Sequence, residues 1–213
     1  GCIITVQTDF IPKLLNGYKA AAGGVAFNVR EDTSIPLVKD LLSGCYDVVF
    51  CAKGDEHPDL AYVPVLTQKV VVAMSSDCPL VEKPFVTPAD LLEQHLITYV
   101  DTIPLGRAVK RMLEERDIKN VEYNYLDESI LAGFAANGVE AAVMLDTFLL
   151  RIVDDVVVKP FYLSALERRS CYHRVYMAYS TRNYHPYCVD HFIQYVAKTA
   201  AVQSFIDFVK GFD

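Results

Sequence analysis

The sequence predicts an α/β protein of two lobes, and three observations carry that prediction. Residues 1–51 alternate short β-branched runs with helical patterns, residues 87–145 repeat the alternation, and two strongly extended segments near residues 70 and 175 bracket that second stretch. A strand, a crossing helix and a further strand close right-handed into a parallel sheet, so each stretch is expected to build its own. The bracketing segments then act as crossovers, which sets the expected lobes at 1–70 plus 170–213 and at 71–169.

Residues 1–6 read as a strand that starts at once, as in a chain cut from something longer. Asp9 can cap a helix with Ile11, Leu14, Leu15 and Tyr18 on one stripe, Pro12 in its first turn and Gly23-Gly24 as its stop. Residues 25–30 follow as a second strand. Ser34 is the expected cap of a helix that turns Ile35, Val38, Leu41 and Leu42 inward and ends at Gly44, and residues 46–51 form a third strand. Two extended runs, 60–66 and 69–74, are separated by Thr67-Gln68.

In the second stretch, Thr87-Pro88-Ala89-Asp90 opens a short helix, 96–100 is a strand, and a long amphipathic helix starts at Thr102 or a neighbour and runs through Arg116. Residues 121–126 make the next strand. Asp127 caps a helix reaching Asn137, Gly138 closes it, and 139–145 is again a strand. Past residues 156–158 and Pro160-Phe161-Tyr162-Leu163, a polar, basic stretch leads to the extended run 171–179. Pro186 then sits in the first turn of a helix with Val189, Phe192, Ile193 and Val196 inward, and a further turn covers 201–209.

Composition excludes several classes. The chain has 213 residues, 52 % of them apolar, with 20 Lys+Arg against 27 Asp+Glu for a net charge of −7. Nucleic-acid binding by bulk charge needs a Lys/Arg stripe, which an acidic chain of this kind lacks. Residues 130–145, the most apolar stretch, contain Asn137 and Glu140 and are too short to cross a bilayer, and the first residues lack the basic and apolar regions of a signal peptide. Six scattered cysteines without a C-x-x-C pair fit small buried hydrophobes in a reducing, cytoplasmic setting.

No Gly-x-Ser-x-Gly, P-loop, His-Glu-x-x-His or Gly-x-Gly-x-x-Gly constellation is present, so no enzyme and no cofactor is expected. Of the five histidines only His185 and His191 lie near each other, and six residues place them on different helix faces, so no metal site is expected either. The candidates for function sit instead at the carboxyl ends of the parallel strands, where α/β folds bind small ligands. They are Thr8, Asp9 and Phe10, then Ala52 and Lys53, then Tyr99, Val100, Asp101, Thr102 and Ile103, then Asp127 to Ser129, then Asp146 and Thr147. Any one Thr or Asp among them is explained by helix capping, whereas two facing lobes would aim both rows into one cleft. Asp9, Asp101, Asp127 and Asp146 all fall near helix starts, where they would neutralise the dipole, which points to a ligand that carries a hydroxyl or amine rather than a bare polyanion.

The order of these motifs resembles the effector-binding domain of LysR-type transcriptional regulators. Leu42-Ser43-Gly44-Cys45-Tyr46-Asp47-Val48-Val49 is similar to the family's Leu-x-x-Gly-x-Leu-Asp segment, Pro64-Val65-Leu66 to its Pro-Leu ahead of a crossover strand, and Ser76-Asp77-Cys78-Pro79-Leu80 stands at its His-Pro-Leu. Ala89-Asp90-Leu91 with Leu96-Ile97-Thr98-Tyr99, and then Gly106-Arg107, resemble the entry to the second lobe and its long helix. A departure is Gly138-Val139-Glu140-Ala141-Ala142-Val143-Met144-Leu145, which lacks the second Gly and the Pro of the corresponding family segment.

The resemblance implies a type 2 periplasmic-binding-protein-like fold: two α/β lobes joined by two crossover strands, with a ligand cleft between them. It implies a small-molecule effector, an organic acid or amino-acid-like compound, touching Thr8, Asp9, Phe10, Ala52, Lys53, Tyr99, Val100, Asp101, Thr102, Ile103, Leu105, Ser129, Leu145 and Asp146. It also implies a homodimer or homotetramer that meets DNA only through an N-terminal winged helix-turn-helix absent from this chain. Two rivals share the scaffold. A transporter's solute-binding protein is disfavoured by the free-looking cysteines, and prephenate dehydratase carries Thr-Arg-Phe where this chain has Thr181-Arg182-Asn183.

Overall fold

A computed structural model describes residues 1–54, 56–162 and 172–210. The chain divides into two compact units: Gly1–Leu66 with the chain from Arg174 onward, and Thr67–His173.

The first unit contains α1 (Ile4–Gln7), α2 (Phe10–Ala22), α3 (Ser34–Leu42), β1 (Val48–Ala52) and the opening of the long strand β2 (Leu60–Ser75). From its returning segment come β7 (Tyr172–Ser180) and α7 (Tyr187–Lys210). β1 and β7 pair antiparallel, from Val48 opposite Tyr179 to Ala52 opposite Val175. Tyr18, Leu37, Leu41, Val49, Met177 and Val196 are buried between sheet and helices.

Several expectations are corrected here. The strand expected at residues 1–6 shrinks to parallel bridges of Cys2 with Glu31 and Phe50, where Ile3 N–H donates to the Phe50 carbonyl and Phe50 N–H to that of Gly1. From Ile4 the chain turns into α1, so tertiary pairing overrides the β-branched preference of Ile3-Ile4-Thr5. The strand expected at 25–30 is absent for the same reason. Its parallel partner would be the chain that α1 withdraws, and only Arg30 at its end accepts a backbone bond, from Cys2. The parallel sheet expected for this stretch is thus, among the described residues, an antiparallel ladder with short parallel bridges.

Ser34 is the first residue of α3 and not its cap, which is Thr33, and its hydroxyl accepts the Ala52 N–H at 3.1 Å. α3 buries the single stripe Ser34, Leu37 and Leu41, which turns Ile35 and Leu42 to solvent although both were expected inward. Thr67-Gln68 does not divide the extended runs, which form the one strand β2, and the turn expected at 201–209 is a continuation of α7. Cys171, Leu163 and the basic stretch between them lie outside the described residues.

The second unit takes the rest of β2, then α4 (Pro88–Leu91), β3 (Leu96–Tyr99), α5 (Pro104–Glu114), β4 (Val121–Tyr125), α6 (Glu128–Ala136), β5 (Ala141–Leu145) and β6 (Val156–Pro160). Here the parallel expectation holds: β3 lies between β4 and β5 and is parallel to both, while β2 runs antiparallel to β5 and β6. α4 starts with a reciprocal Thr87–Asp90 capping box. Hydrogen bonds from Lys83 and Thr87 hold the Asp90 carboxyl down at about 2. α5 begins at Pro104 with Ile103 in the cap position, two residues later than Thr102. Leu96, Ile97, Leu113, Leu131 and Val143 are fully buried beneath these helices. No helix among the described residues is long and apolar enough to cross a membrane.

Candidate functional site

Because β4, β3 and β5 are parallel, their carboxyl ends reach one end of the second unit together, and the loops that follow carry most of the candidate residues. Tyr99, the last residue of β3, is fully buried; its hydroxyl donates to Glu128 Oε1 at 2.9 Å and accepts the Leu145 N–H at 3.0 Å. One phenol thereby ties the ends of β3 and β5 to the first residue of α6. Burial raises the Glu128 carboxyl to about 7 and pushes the Tyr99 phenol well above its ordinary range. Beside it, the Thr98 hydroxyl donates to the Val143 carbonyl at 2.6 Å.

The loop after β3 is clamped from both sides. Val100 N–H donates to the Tyr125 carbonyl at 2.8 Å, and Gly106 of α5 presses against Val100 so closely that a Cβ there would lie 2.0 Å from the Val100 carbonyl oxygen. Asp101 turns to Lys110 at 2.7 Å, whose hydrogen bond holds the carboxyl below its usual range. Thr102 is exposed, and its carbonyl accepts from Arg107 Nη1 at 2.8 Å. Ile103 is half-buried, whereas Leu105 and Leu145 belong to the core.

After β4, Asp127 caps α6 by accepting the Ser129 N–H at 2.7 Å, and the Ser129 hydroxyl donates to the same oxygen. After β5, the Asp146 N–H donates to the Lys69 carbonyl at 2.8 Å and its carboxylate lies 3.6 Å from Arg151. Thr147 next to it is buried, with no partner for its hydroxyl oxygen.

In the first unit, Thr8 is exposed and follows helix α1 in place of a strand. Asp9 precedes α2 without capping it and pairs with Lys13 at 2.6 Å, while the Phe10 ring meets Phe50 of β1 edge-on at 6.0 Å. Ala52, at the end of β1, is buried. Lys53 reaches Glu56 at 3.0 Å and lies 5.6 Å from the centre of the Tyr62 ring.

The expectation that aspartates neutralise all these helix starts is corrected. Asp127 caps its helix, but Asp9 and Asp101 are drawn to lysines four and nine residues on, and α5 has neither a side-chain cap nor an acidic residue in its first turn. Glu128 falls within the expected span Asp127 to Ser129, but its role as the central buried carboxyl was not foreseen, since its partner Tyr99 is 29 residues away and no local spacing links them. The group of metal-ligating side chains found among the described residues lies elsewhere, around His95 ahead of β3.

Residues 1–201 match the family model described as LysR substrate binding domain. The uncharacterized HTH-type transcriptional regulator YybE of Bacillus subtilis (strain 168) is 20 % identical over 147 residues, 68 % of this chain and 50 % of its own length. The HTH-type transcriptional regulator TtuA of Agrobacterium vitis is 31 % identical over 98 residues, 46 % of this chain and 32 % of its own length. The chain thus spans half or less of these two curated relatives. Among solved structures, the effector binding domain of QuiR in complex with shikimate superposes with a TM-score of 0.84 at 17 % identity, covering 94 % of this chain and 95 % of that one. That likeness establishes the fold.

Proposed function

The chain belongs to the LysR substrate-binding-domain family, with its type 2 periplasmic-binding-protein-like fold, and from that premise we propose that it is the effector-sensing part of a LysR-type transcriptional regulator. The observation that carries the reading is the family match across residues 1–201. In this reading the two lobes are 1–70 with 170–213 and 71–169, and the effector is held by segments of both: Thr8, Asp9, Phe10, Ala52 and Lys53 from one, residues 99–103, Leu105, Ser129, Leu145 and Asp146 from the other. An effector that fits one lobe arrangement better than another shifts the equilibrium toward it. A homodimer or homotetramer in the cytoplasm passes that shift to DNA-binding domains carried outside these residues. No catalytic step is required.

The ligand chemistry follows from the loops. The uncapped, acid-free start of α5 suits a carboxylate, because its first N–H groups lack a side-chain acceptor. The unpartnered Thr147 hydroxyl and the exposed Thr8 and Thr102 suit a ligand with hydroxyl or amine groups. We therefore assign the effector to the small hydroxylated or amino-substituted organic acids. Thermal-shift titration with such acids, shikimate first because the QuiR domain was solved with it, tests this against sulfate and phosphate as bare anions. A hydroxy acid should raise the melting temperature where the bare anions do not; an equal rise with sulfate would overturn the assignment.

A further inference from the structure

We propose that His95, Glu122 and Glu140 form a divalent-metal site in the second unit, taking Zn2+ in preference to the alkaline-earth ions. The sheet register puts the three together. Leu96 lies opposite both Val121 and Ala141, and Ile97 lies opposite Glu122. Side chains alternate along a strand, so His95 shares a face with Ile97 and hence with Glu122. Glu140, one residue before Ala141 as His95 is one before Leu96, stands beside it on that face. Three adjacent strands therefore each contribute one ligand where they begin, at the ends opposite the loops described above.

One donor atom from each residue lies within 4.8 Å of the others, with His95 Nε2 at 3.6 Å from Glu122 Oε1 and His95 Nδ1 at 2.7 Å from Glu140 Oε1. A tetrahedral zinc ion with bonds of about 2.0–2.2 Å separates its ligand atoms by roughly 3.4 Å; only one nitrogen of His95 can bind it, so the carboxylate that now faces the other nitrogen has to swing round to close the site. None of the three is locked in the core: His95 is 40 % exposed, Glu122 46 % and Glu140 18 %.

Among the described residues no Lys or Arg pairs with Glu122 or Glu140, so two carboxylates share one imidazole. The adjoining cavity of about 780 Å3 is lined by Glu140, His95, Asp77 and Asp155 and by no Lys or Arg. The His95–Glu140 pair accounts for two members of the cluster, whereas an ion pair as exposed as that of His95 with Glu122 adds little to stability and leaves the second carboxylate without a structural role. An imidazole with two carboxylates is a first-row donor set, whereas Ca2+ and Mg2+ prefer shells of six or more oxygens. Three protein ligands leave a fourth position for water.

The test is metal analysis of the purified chain after dialysis against chelator-buffered Zn2+, with the absorption spectrum of the Co2+ form as a second readout. The chain should take up one equivalent of Zn2+ and show Co2+ bands without a thiolate charge-transfer band. Glu122→Gln combined with Glu140→Gln should weaken uptake by about tenfold or more, while Cys45→Ser with Cys188→Ser leaves it unchanged. Absence of uptake by the unaltered chain, equal uptake by the double Gln variant, or a thiolate band would each overturn the proposal. If the double variant does not keep the circular dichroism of the parent, His95→Gln decides the same question on the same readouts.

Discussion

The segments that carry the candidate residues are built differently in the two units. In the second unit they are fastened by buried polar groups: Tyr99 to Glu128 and Leu145, Thr98 to Val143, and the Gly106 turn against Val100. In the first unit Ala52 has one buried bond, from its N–H to the Ser34 hydroxyl at 3.1 Å, but Asp9 and Lys53 rely on exposed, local pairs with Lys13 and Glu56, and Phe10 on its ring contact with Phe50. Buried, satisfied hydrogen bonds specify one geometry, whereas exposed pairs contribute little and are easily exchanged. The loops of the second unit are thus preformed, and those of the first adaptable.

A methyl group added to each unit separates the two most clearly. Gly106→Ala should cost about 3 kcal/mol, because its Cβ meets a backbone carbonyl that cannot retreat without moving the end of β3. Gly17→Ala in α2 meets only the Tyr195 hydroxyl, at 2.8 Å, the free end of a side chain that can swing aside. Its better helix propensity, about 1 kcal/mol, offsets that displacement, and the change should be near neutral. Urea unfolding of both variants checks the contrast, and equal losses would contradict it.

Next in size is Glu128. Its folded-state value of about 7 lies above the ordinary 4.5, so the folded chain holds a proton that the unfolded chain has released. Stability therefore falls as pH rises from about 4.5 to 7 and then levels off, by on the order of 2–3 kcal/mol. Glu128→Gln keeps an oxygen to accept the Tyr99 hydroxyl and should abolish that fall, which urea midpoints at pH 5 and pH 8 would reveal. His173, buried without a partner for Nε2 and lowered to about 4, works on the other side. It favours the folded chain less and less as pH drops from about 6.5 toward 4, because the unfolded chain then binds the proton.

The smallest contrast is between two aspartates of like sequence context. Asp127→Ala removes a real cap and should cost about 1 kcal/mol, while Asp9→Ala removes only a surface pair and should change stability by less than about 0.5 kcal/mol.

How much of this could be read beforehand differs between the units in the same way. Every strand and helix expected over residues 87–145 is present within a few residues, because hydrophobic runs, Thr87, Asp127 and Gly138 are local signals that agree with their tertiary setting. The first unit misled at residues 1–6 and 25–30, whose β-branched runs find too little partner strand once α1 begins at Ile4. Residues 99–103, 127–129 and 146–147 follow parallel strands as expected, whereas Thr8, Asp9 and Phe10 follow helix α1 and not a strand. What each side chain binds was not readable: Asp101 turns to Lys110 and Glu128 to Tyr99 through contacts that only the folded chain creates.

The central claim, that both sets of loops hold a small organic effector, is tested most directly by calorimetric titration of the acid that gives the largest thermal shift, on the parent chain and on Thr8→Ala and Thr102→Ala. Saturable binding that weakens in both variants, with folding unaffected, is expected. Unchanged affinity in both would contradict it.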